Sequence, residues 1–137
     1  MKFAQADVIW PDIEEVARPF YEGMQQKKVM IQQCSACSTH LPPAQIVCDH
    51  CGSDKLDWLE ANGAGEIYSY VVYHRSFHPF FDDKLPYTVA LVELGEGPRL
   101  QALFYGDDCV VGMKVQPLFT DVAGKHTLLA YQPAEKD

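Results

Sequence analysis

Apolar residues between positions 12 and 27 recur at the three- and four-residue spacing of one helix face. The face consists of Ile13, Val16, Ala17, Phe20, Tyr21 and Met24. Pro19 falls inside this pattern, and proline is tolerated in the first turn of a helix but breaks its interior. The pattern therefore predicts two short helices or one kinked helix, with Asp12 as the N-cap of the first.

From residue 28 onwards the pattern changes to short runs of β-branched and aromatic residues. One strand is predicted at residues 28–33, directly before a cysteine-rich segment. After the turn-rich boundary at residues 62–65, further strands are predicted at residues 66–73, 87–94, 99–105, 114–119 and 127–131. Gly95-Glu96-Gly97-Pro98 is typical of a hairpin loop. Because no helical pattern separates these strands, they predict a small closed barrel or a sandwich.

The composition is that of a folded protein. Hydrophobic residues make up 47% of the 137 positions, which is enough to form a buried core. No apolar run approaches the roughly 18 residues of a membrane span. The N-terminus lacks the basic segment and apolar stretch of a secretory signal. We therefore expect a cytoplasmic protein.

The charge balance argues against nucleic acid as the main ligand. The chain has 11 Lys and Arg against 19 Asp and Glu, a net charge of −8, and neither half is basic. Non-specific binding to nucleic acid depends on Lys and Arg that neutralise phosphates. The sequence lacks this surplus of cations.

Four of the five cysteines form two CxxC knuckles separated by ten residues. They are Cys34, Cys37, Cys48 and Cys51. Two residues between cysteines let both thiolates reach one ion, and four thiolates complete a tetrahedral shell with no position left for water or substrate. The spacing therefore predicts one structural zinc.

Alternatives to this zinc site remain open from the sequence. A rubredoxin-like iron centre uses the same four ligands, so iron is the alternative metal. His40 or His50, which lie between and within the knuckles, is the alternative ligand to one cysteine. Four cysteines that are merely buried would be the alternative without metal. The fifth, Cys109, follows two aspartates and is interpreted as a structural cysteine.

Several sequence blocks occur in an order that resembles a known family. They are the two knuckles with Leu41-Pro42-Pro43 between them, Gly52-Ser53, Trp58, and residues 63–70 and 86–100. From about residue 19 to residue 133 the chain resembles acyl-CoA-associated proteins with a rubredoxin-like zinc ribbon fused to an OB-fold. One departure is Ala64, which stands where the family has an arginine that would meet a CoA phosphate.

The resemblance implies a mainly β fold with N-terminal helices, in which the zinc ribbon precedes a five-stranded OB-fold barrel. It divides the chain into a helical arm at 1–27, the ribbon at 28–61 and the OB-fold at 62–137. It also implies a hetero-oligomer with a thiolase-like enzyme or a hot-dog-fold hydratase. Acyl-CoA at the shared interface is a further ligand that it implies.

The segment between residues 73 and 87 is rich in aromatic residues and lies between two predicted strands. It contains Phe77, Phe80 and Phe81 together with Arg75, and it ends at Tyr87. Because inter-strand loops lie at the surface and these residue types dominate binding hot spots, we predict that they contact a protein partner. The alternative is that the phenylalanines fold back and close one end of the barrel.

No catalytic motif is present in the sequence. There is no GxSxG elbow, P-loop or dinucleotide fingerprint, and the carboxylates form no pair with assignable acid and base roles. The leading hypothesis is a non-catalytic subunit that supports an acyl-CoA-processing enzyme, most simply a thiolase-type enzyme that cleaves C–C bonds. A module that binds single-stranded nucleic acid and a stand-alone acyl-CoA-binding protein are the alternatives.

Overall fold

The structure, a computed structural model, describes residues 15–76, 83–122 and 126–134. Its helical part is a 3-10 turn at Glu15–Ala17 followed by helix α1 at Arg18–Gln25. Pro19 occupies the first turn of α1, so it begins the helix instead of breaking it. The predicted N-cap, Asp12, lies outside the described residues.

Helix α1 ends in a Schellman motif. The amide of Lys28 donates to the carbonyl of Gly23 at 2.8 Å, and the amide of Lys27 donates to that of Met24 at 3.0 Å. Lys27 has the left-handed φ of 61° that this motif requires. The motif turns the chain straight into the first strand, and Met24 is buried beneath it.

Three strands form a small antiparallel sheet. They are β1 at Val29–Cys34, β2 at His40–Leu41 and β3 at Leu56–Ala61, in the order β2-β1-β3. β1 pairs with β3 along its whole length, from Val29 opposite Ala61 to Cys34 opposite Leu56. β2 and β3 were not predicted as strands. β2 is too short to show a pattern, and β3 carries Asp57 and Glu60 among its apolar residues.

The other five strands close into a barrel. They are β4 at Gly65–Tyr73, β5 at Tyr87–Leu94, β6 at Arg99–Phe104, β7 at Lys114–Val122 and β8 at His126–Pro133. Their order is β4-β5-β6-β8-β7, with β7 returning to β4. Among these strands, as far as the structure describes them, β6 and β8 run parallel and the other pairs are antiparallel. This mixed five-stranded barrel after a zinc ribbon confirms the predicted fold class.

One core runs from helix α1 through β1 into the barrel. It contains Met24, Val29 and Ile31 together with barrel residues such as Val92 and Tyr131. The fully buried Tyr131 donates its hydroxyl proton to the carbonyl of Gly63 at 2.7 Å, and burial raises the pKa of this hydroxyl. Helix α1, strand β1 and the barrel therefore share one core, while the predicted domain boundaries remain predictions. Within the described ranges, no helix has the length and apolarity of a membrane span.

Candidate metal centre and partner surface

The two cysteine knuckles have the same backbone geometry. In the first, the amide of Ser38 donates to the carbonyl of Cys34 at 2.8 Å; in the second, the amide of Gly52 donates to that of Cys48 at 2.9 Å. Ser38 and Gly52 follow the second cysteine of each knuckle, and both have positive φ, 68° and 81°. Each knuckle is thus a closed turn that directs two sulfurs to one point.

The four sulfurs converge as a metal ion requires. The Sγ atoms of Cys34 and Cys51 are 3.6 Å apart, those of Cys37 and Cys48 are 3.7 Å apart, and all four lie within 4.8 Å of one another. A tetrahedral zinc with bonds of roughly 2.3 Å places its sulfurs about 3.8 Å apart. The cluster therefore fits a zinc ion, and neither His40 nor His50 belongs to the converging group found among the described residues.

The surroundings of the sulfurs give the thiols unlike acidities. The hydroxyl of Thr39, 3.1 Å from the Sγ of Cys37, lowers the pKa of this thiol to about 6. At Cys51 the Ser53 amide acts to lower the pKa, but the neighbouring thiols of Cys34 and Cys37 outweigh it and raise the pKa to about 12. Four thiolates together therefore need a cation, and a bound divalent ion deprotonates such ligands.

The ribbon has little other core. Around the sulfurs, Cys34, Cys48 and Leu41 are buried and form a cluster separate from the main core. The other buried apolar residues of β1 and β3 belong to the main core. So few buried side chains do not stabilise a chain of this length by themselves, which is why small ribbons depend on their metal.

A buried glutamine fixes the loop between the knuckles. Gln32 is 2% exposed, its Nε2 donates to the carbonyl of Gln45 at 3.1 Å, and its Oε1 accepts from the Gln45 amide at 2.6 Å. The next residues, Ile46 and Val47, are left on the surface. The sequence analysis missed this contact, because a glutamine that pairs with a distant backbone leaves no periodic signal.

The second group of predicted residues is only partly described. Tyr87 pairs with Tyr73 across β4 and β5, and their rings stack at 4.9 Å. Arg75 is exposed two residues beyond the end of β4. Phe77, Phe80 and Phe81 lie outside the described residues, so their predicted contact with a partner stays a prediction.

An exposed apolar stretch of β4 also escaped the sequence analysis. Tyr68, Tyr70, Val71 and Val72 are 40–52% exposed. The run has no charge and carries apolar residues at both alternating positions, which from the sequence alone indicates a strand that is covered on both faces. In the structure residues 68–72 are exposed on both faces of the strand.

Cys109 packs against the main core, and burial raises the pKa of its thiol. A raised pKa disfavours the thiolate that a nucleophilic cysteine needs. In the described part of the chain the knuckle cysteines form the group able to hold a metal, and their shell is closed. The arrangement supports structure and recognition, and it offers no open coordination position for a substrate.

Family profiles match two adjoining parts of the chain. The profile of the ChsH2 rubredoxin-like zinc ribbon domain matches residues 22–57, and that of the ChsH2 C-terminal OB-fold domain matches residues 58–120. The predicted cofactor, a structural zinc held by the ribbon, is confirmed by this match together with the clustered cysteines.

Three relatives of known description are similar over most of this chain. A probable enoyl-CoA hydratase alpha subunit of Thermomonospora curvata is 41% identical, covering 84% of this chain and 36% of the relative. The 3-oxo-4,17-pregnadiene-20-carboxyl-CoA hydratase alpha subunit of Mycobacterium tuberculosis is 29% identical, and the match covers 85% of this chain and 37% of the relative. A DUF35 domain-containing scaffold protein of Methanothermobacter thermautotrophicus is 30% identical, and the match covers 85% of this chain and 92% of the relative. The chain thus spans about a third of the two hydratase subunits.

Two solved structures share the fold. A chain of the Ltp2-ChsH2(DUF35) aldolase superposes with a TM-score of 0.82 at 38% identity, covering 92% of this chain and all of that one. A DUF35 family protein of unknown function from Sulfolobus solfataricus superposes with a TM-score of 0.65 at 23% identity, over 88% of this chain and 86% of that one. The first is similar in sequence as well as in fold, and the second in fold alone.

Proposed function

Because the chain belongs to the DUF35 family of ChsH2-type zinc-ribbon and OB-fold proteins, we propose that it is a non-catalytic scaffold subunit of an acyl-CoA-processing enzyme. The observation that carries this proposal is the closed set of four thiolates, which leaves a bound metal without a position for substrate. We assign a structural zinc to these four cysteines. The metal then holds the ribbon folded, and the chemistry belongs to the partner.

The names of the relatives support a partner of this class. Two are alpha subunits of acyl-CoA hydratases, one is a scaffold protein, and the chain of solved structure belongs to an aldolase. Within this class we propose a thiolase-type enzyme that cleaves C–C bonds. In support, the match to the chain of the aldolase covers that chain completely and at 38% identity. A hot-dog-fold hydratase is the alternative partner.

The proposed contact surface is the aromatic loop after β4. It consists of Arg75, Phe77, Phe80, Phe81 and Tyr87. The stacked pair of Tyr73 and Tyr87 supports this assignment, because it places a rigid aromatic platform at the base of the loop. Acyl-CoA is proposed to meet this chain only at the shared interface, and the complex is proposed to be cytoplasmic.

Co-purification from the native host tests the proposal. With a tag on this chain, we expect an untagged acyl-CoA-processing enzyme to elute with it at fixed stoichiometry. The control is a salt-dependent binding assay with single-stranded oligonucleotides, where the net charge of −8 predicts no retention at physiological salt. A chain that elutes without an enzyme, or that retains the oligonucleotide, would contradict the proposal.

A further inference from the structure

Strand β4 leaves one of its edges open. On one side it pairs with β5 as far as Tyr73. On the other side it pairs with β7 only at Gly65 and Glu66, and the backbone of Ile67 makes the last contacts, with Gly112 and Met113. From Tyr68 to Val72, no strand of the described ranges pairs with this second edge.

The open edge carries apolar side chains on both faces. Tyr70 and Val72 alternate with Val71, so they point to opposite sides of the strand. Val110 and Val111, 55% and 60% exposed, lie at the base of the edge, because the adjacent amide of Gly112 donates to the carbonyl of Ile67 at 2.8 Å. We call these residues the β4 edge patch: Tyr68, Tyr70, Val71, Val72, Val110 and Val111.

Apart from a register shift between Ile67 and Ser69, the edge lacks the features that keep exposed strands from pairing. Natural edge strands are protected by charged side chains, by proline or by being short. Residues 67–73 contain no charged residue and no proline. Unpaired backbone groups flanked by exposed apolar side chains are the template to which an added strand binds.

Tyr68 is already held in place at the start of this edge. The guanidinium of Arg99 lies 3.7 Å from the centre of its ring, and the Nε of Arg99 donates to Glu93 at 3.0 Å. A side chain that is fixed beforehand loses less entropy when a partner covers it.

We propose that the β4 edge patch receives an extended, uncharged strand of the enzyme subunit, which continues the barrel sheet by backbone hydrogen bonds. This inference rests on the proposed function and specifies how the partner docks. A charged strand would bury its charge against Tyr70 and Val71 with no counter-charge on the edge, which is costly. The occupant is therefore uncharged where it pairs.

Charge also favours an enzyme strand over a second copy of this chain. Each copy carries −8, and the exposed Asp107 and Asp108 precede the valines of the patch, so two copies placed edge to edge repel each other. A partner with Lys or Arg flanking its uncharged strand meets these aspartates with opposite charge. The far end of the edge leads to the stacked Tyr73 and Tyr87, so the patch is continuous with the proposed loop surface.

Lysine substitutions on the edge test the inference. V71K and V72K each place a charge on an exposed position of the open edge, and I46K, at a residue 74% exposed on the ribbon, is the matched control. The probe is the purified enzyme subunit that elutes with the native chain. We expect V71K and V72K to raise its Kd at least tenfold with unchanged melting temperature, and I46K to leave it within twofold.

Hydrogen exchange provides the second measurement. In the native complex, amides within residues 68–72 should exchange more slowly than in the isolated chain. The reason is that carbonyl groups of the added strand accept hydrogen bonds from the amides that face the open edge. The edge inference would be overturned if the native chain binds the enzyme, the lysine variants bind it equally well and the amides of residues 68–72 are not protected in the complex. The proposed function would then still stand. A native chain that binds no such enzyme would overturn both. A dimer of the isolated chain with protected edge amides would identify a second copy as the occupant and also overturn it.

Discussion

Replacing Cys48 by alanine is expected to release the metal and to unfold the ribbon. Cys48 is 1% exposed, its Sγ lies 3.7 Å from that of Cys37, and it accepts from the amide of His50 at 3.3 Å. Structural zinc contributes roughly 10–16 kcal/mol to the folding of small zinc modules, so breaking the shell removes a large part of the ribbon's stability. The main core contains none of the four ligands, so the barrel should remain folded.

The measurement is metal content per chain together with hydrogen exchange along the sequence. For C48A we expect the metal content to fall to near zero and exchange to rise across residues 34–56, while β5 and β6 stay protected. C109A is the matched control, because Cys109 packs against the barrel core and is remote in sequence from the knuckles. The zinc assignment is wrong if natively purified protein contains neither zinc nor iron, or if C48A keeps its metal.

Alanine substitutions at Phe77, Phe80 and Phe81 are expected to weaken partner binding. Truncating an aromatic hot spot costs on the order of 2 kcal/mol or more, which is about thirtyfold in affinity. Pro79 and Pro86 restrict the conformations of the loop, so less entropy is lost when it docks. The effect should be on the Kd for the enzyme subunit, with melting temperatures close to that of the native chain.

The same variants distinguish the two interpretations of the loop. If a phenylalanine closes the end of the barrel, its removal lowers the melting temperature as the primary effect. I46A serves as control, because it removes from the ribbon an apolar side chain that is 74% exposed. Lower stability in all three variants, with unchanged affinity of the folded molecules, would show that the loop is core and that the partner binds elsewhere.

Local patterns explain how much of the fold could be predicted from the sequence. The barrel strands are short runs bounded by Gly, Pro and Asp, and the structure places β5 at the predicted residues. The cysteine spacing is equally local, since each knuckle is closed by hydrogen bonds within five residues. What depends on partners distant in sequence could not be predicted. β2 exists only because His40 and Leu41 lie opposite β1, and β3 only because it extends the same sheet.

The recognition surfaces also depend on contacts between residues distant in sequence, so they could not be predicted. A run such as residues 67–73 is apolar at both alternating positions, which from the sequence alone indicates a buried strand. The structure shows instead that Tyr70, Val71 and Val72 are exposed and that β4 pairs with β7 at Gly65 and Glu66 alone among the described residues. The hydrogen bonds between the side chain of Gln32 and the backbone of Gln45 likewise join residues that are 13 positions apart. Such features need the assembled fold before they can be recognised.

The assignment of chemistry to the partner is tested most directly by turnover. The purified chain, the purified enzyme subunit and their complex should each be assayed for C–C bond cleavage, hydration and thioester hydrolysis of acyl-CoA. We predict no turnover by the chain alone and turnover by the complex. The acidic thiol of Cys37 is one of the four ligands that close the metal shell, and the pKa of the Cys109 thiol is raised by burial, so neither cysteine is available as a nucleophile. Turnover of any acyl-CoA by the pure chain, free of its partner, would contradict the account.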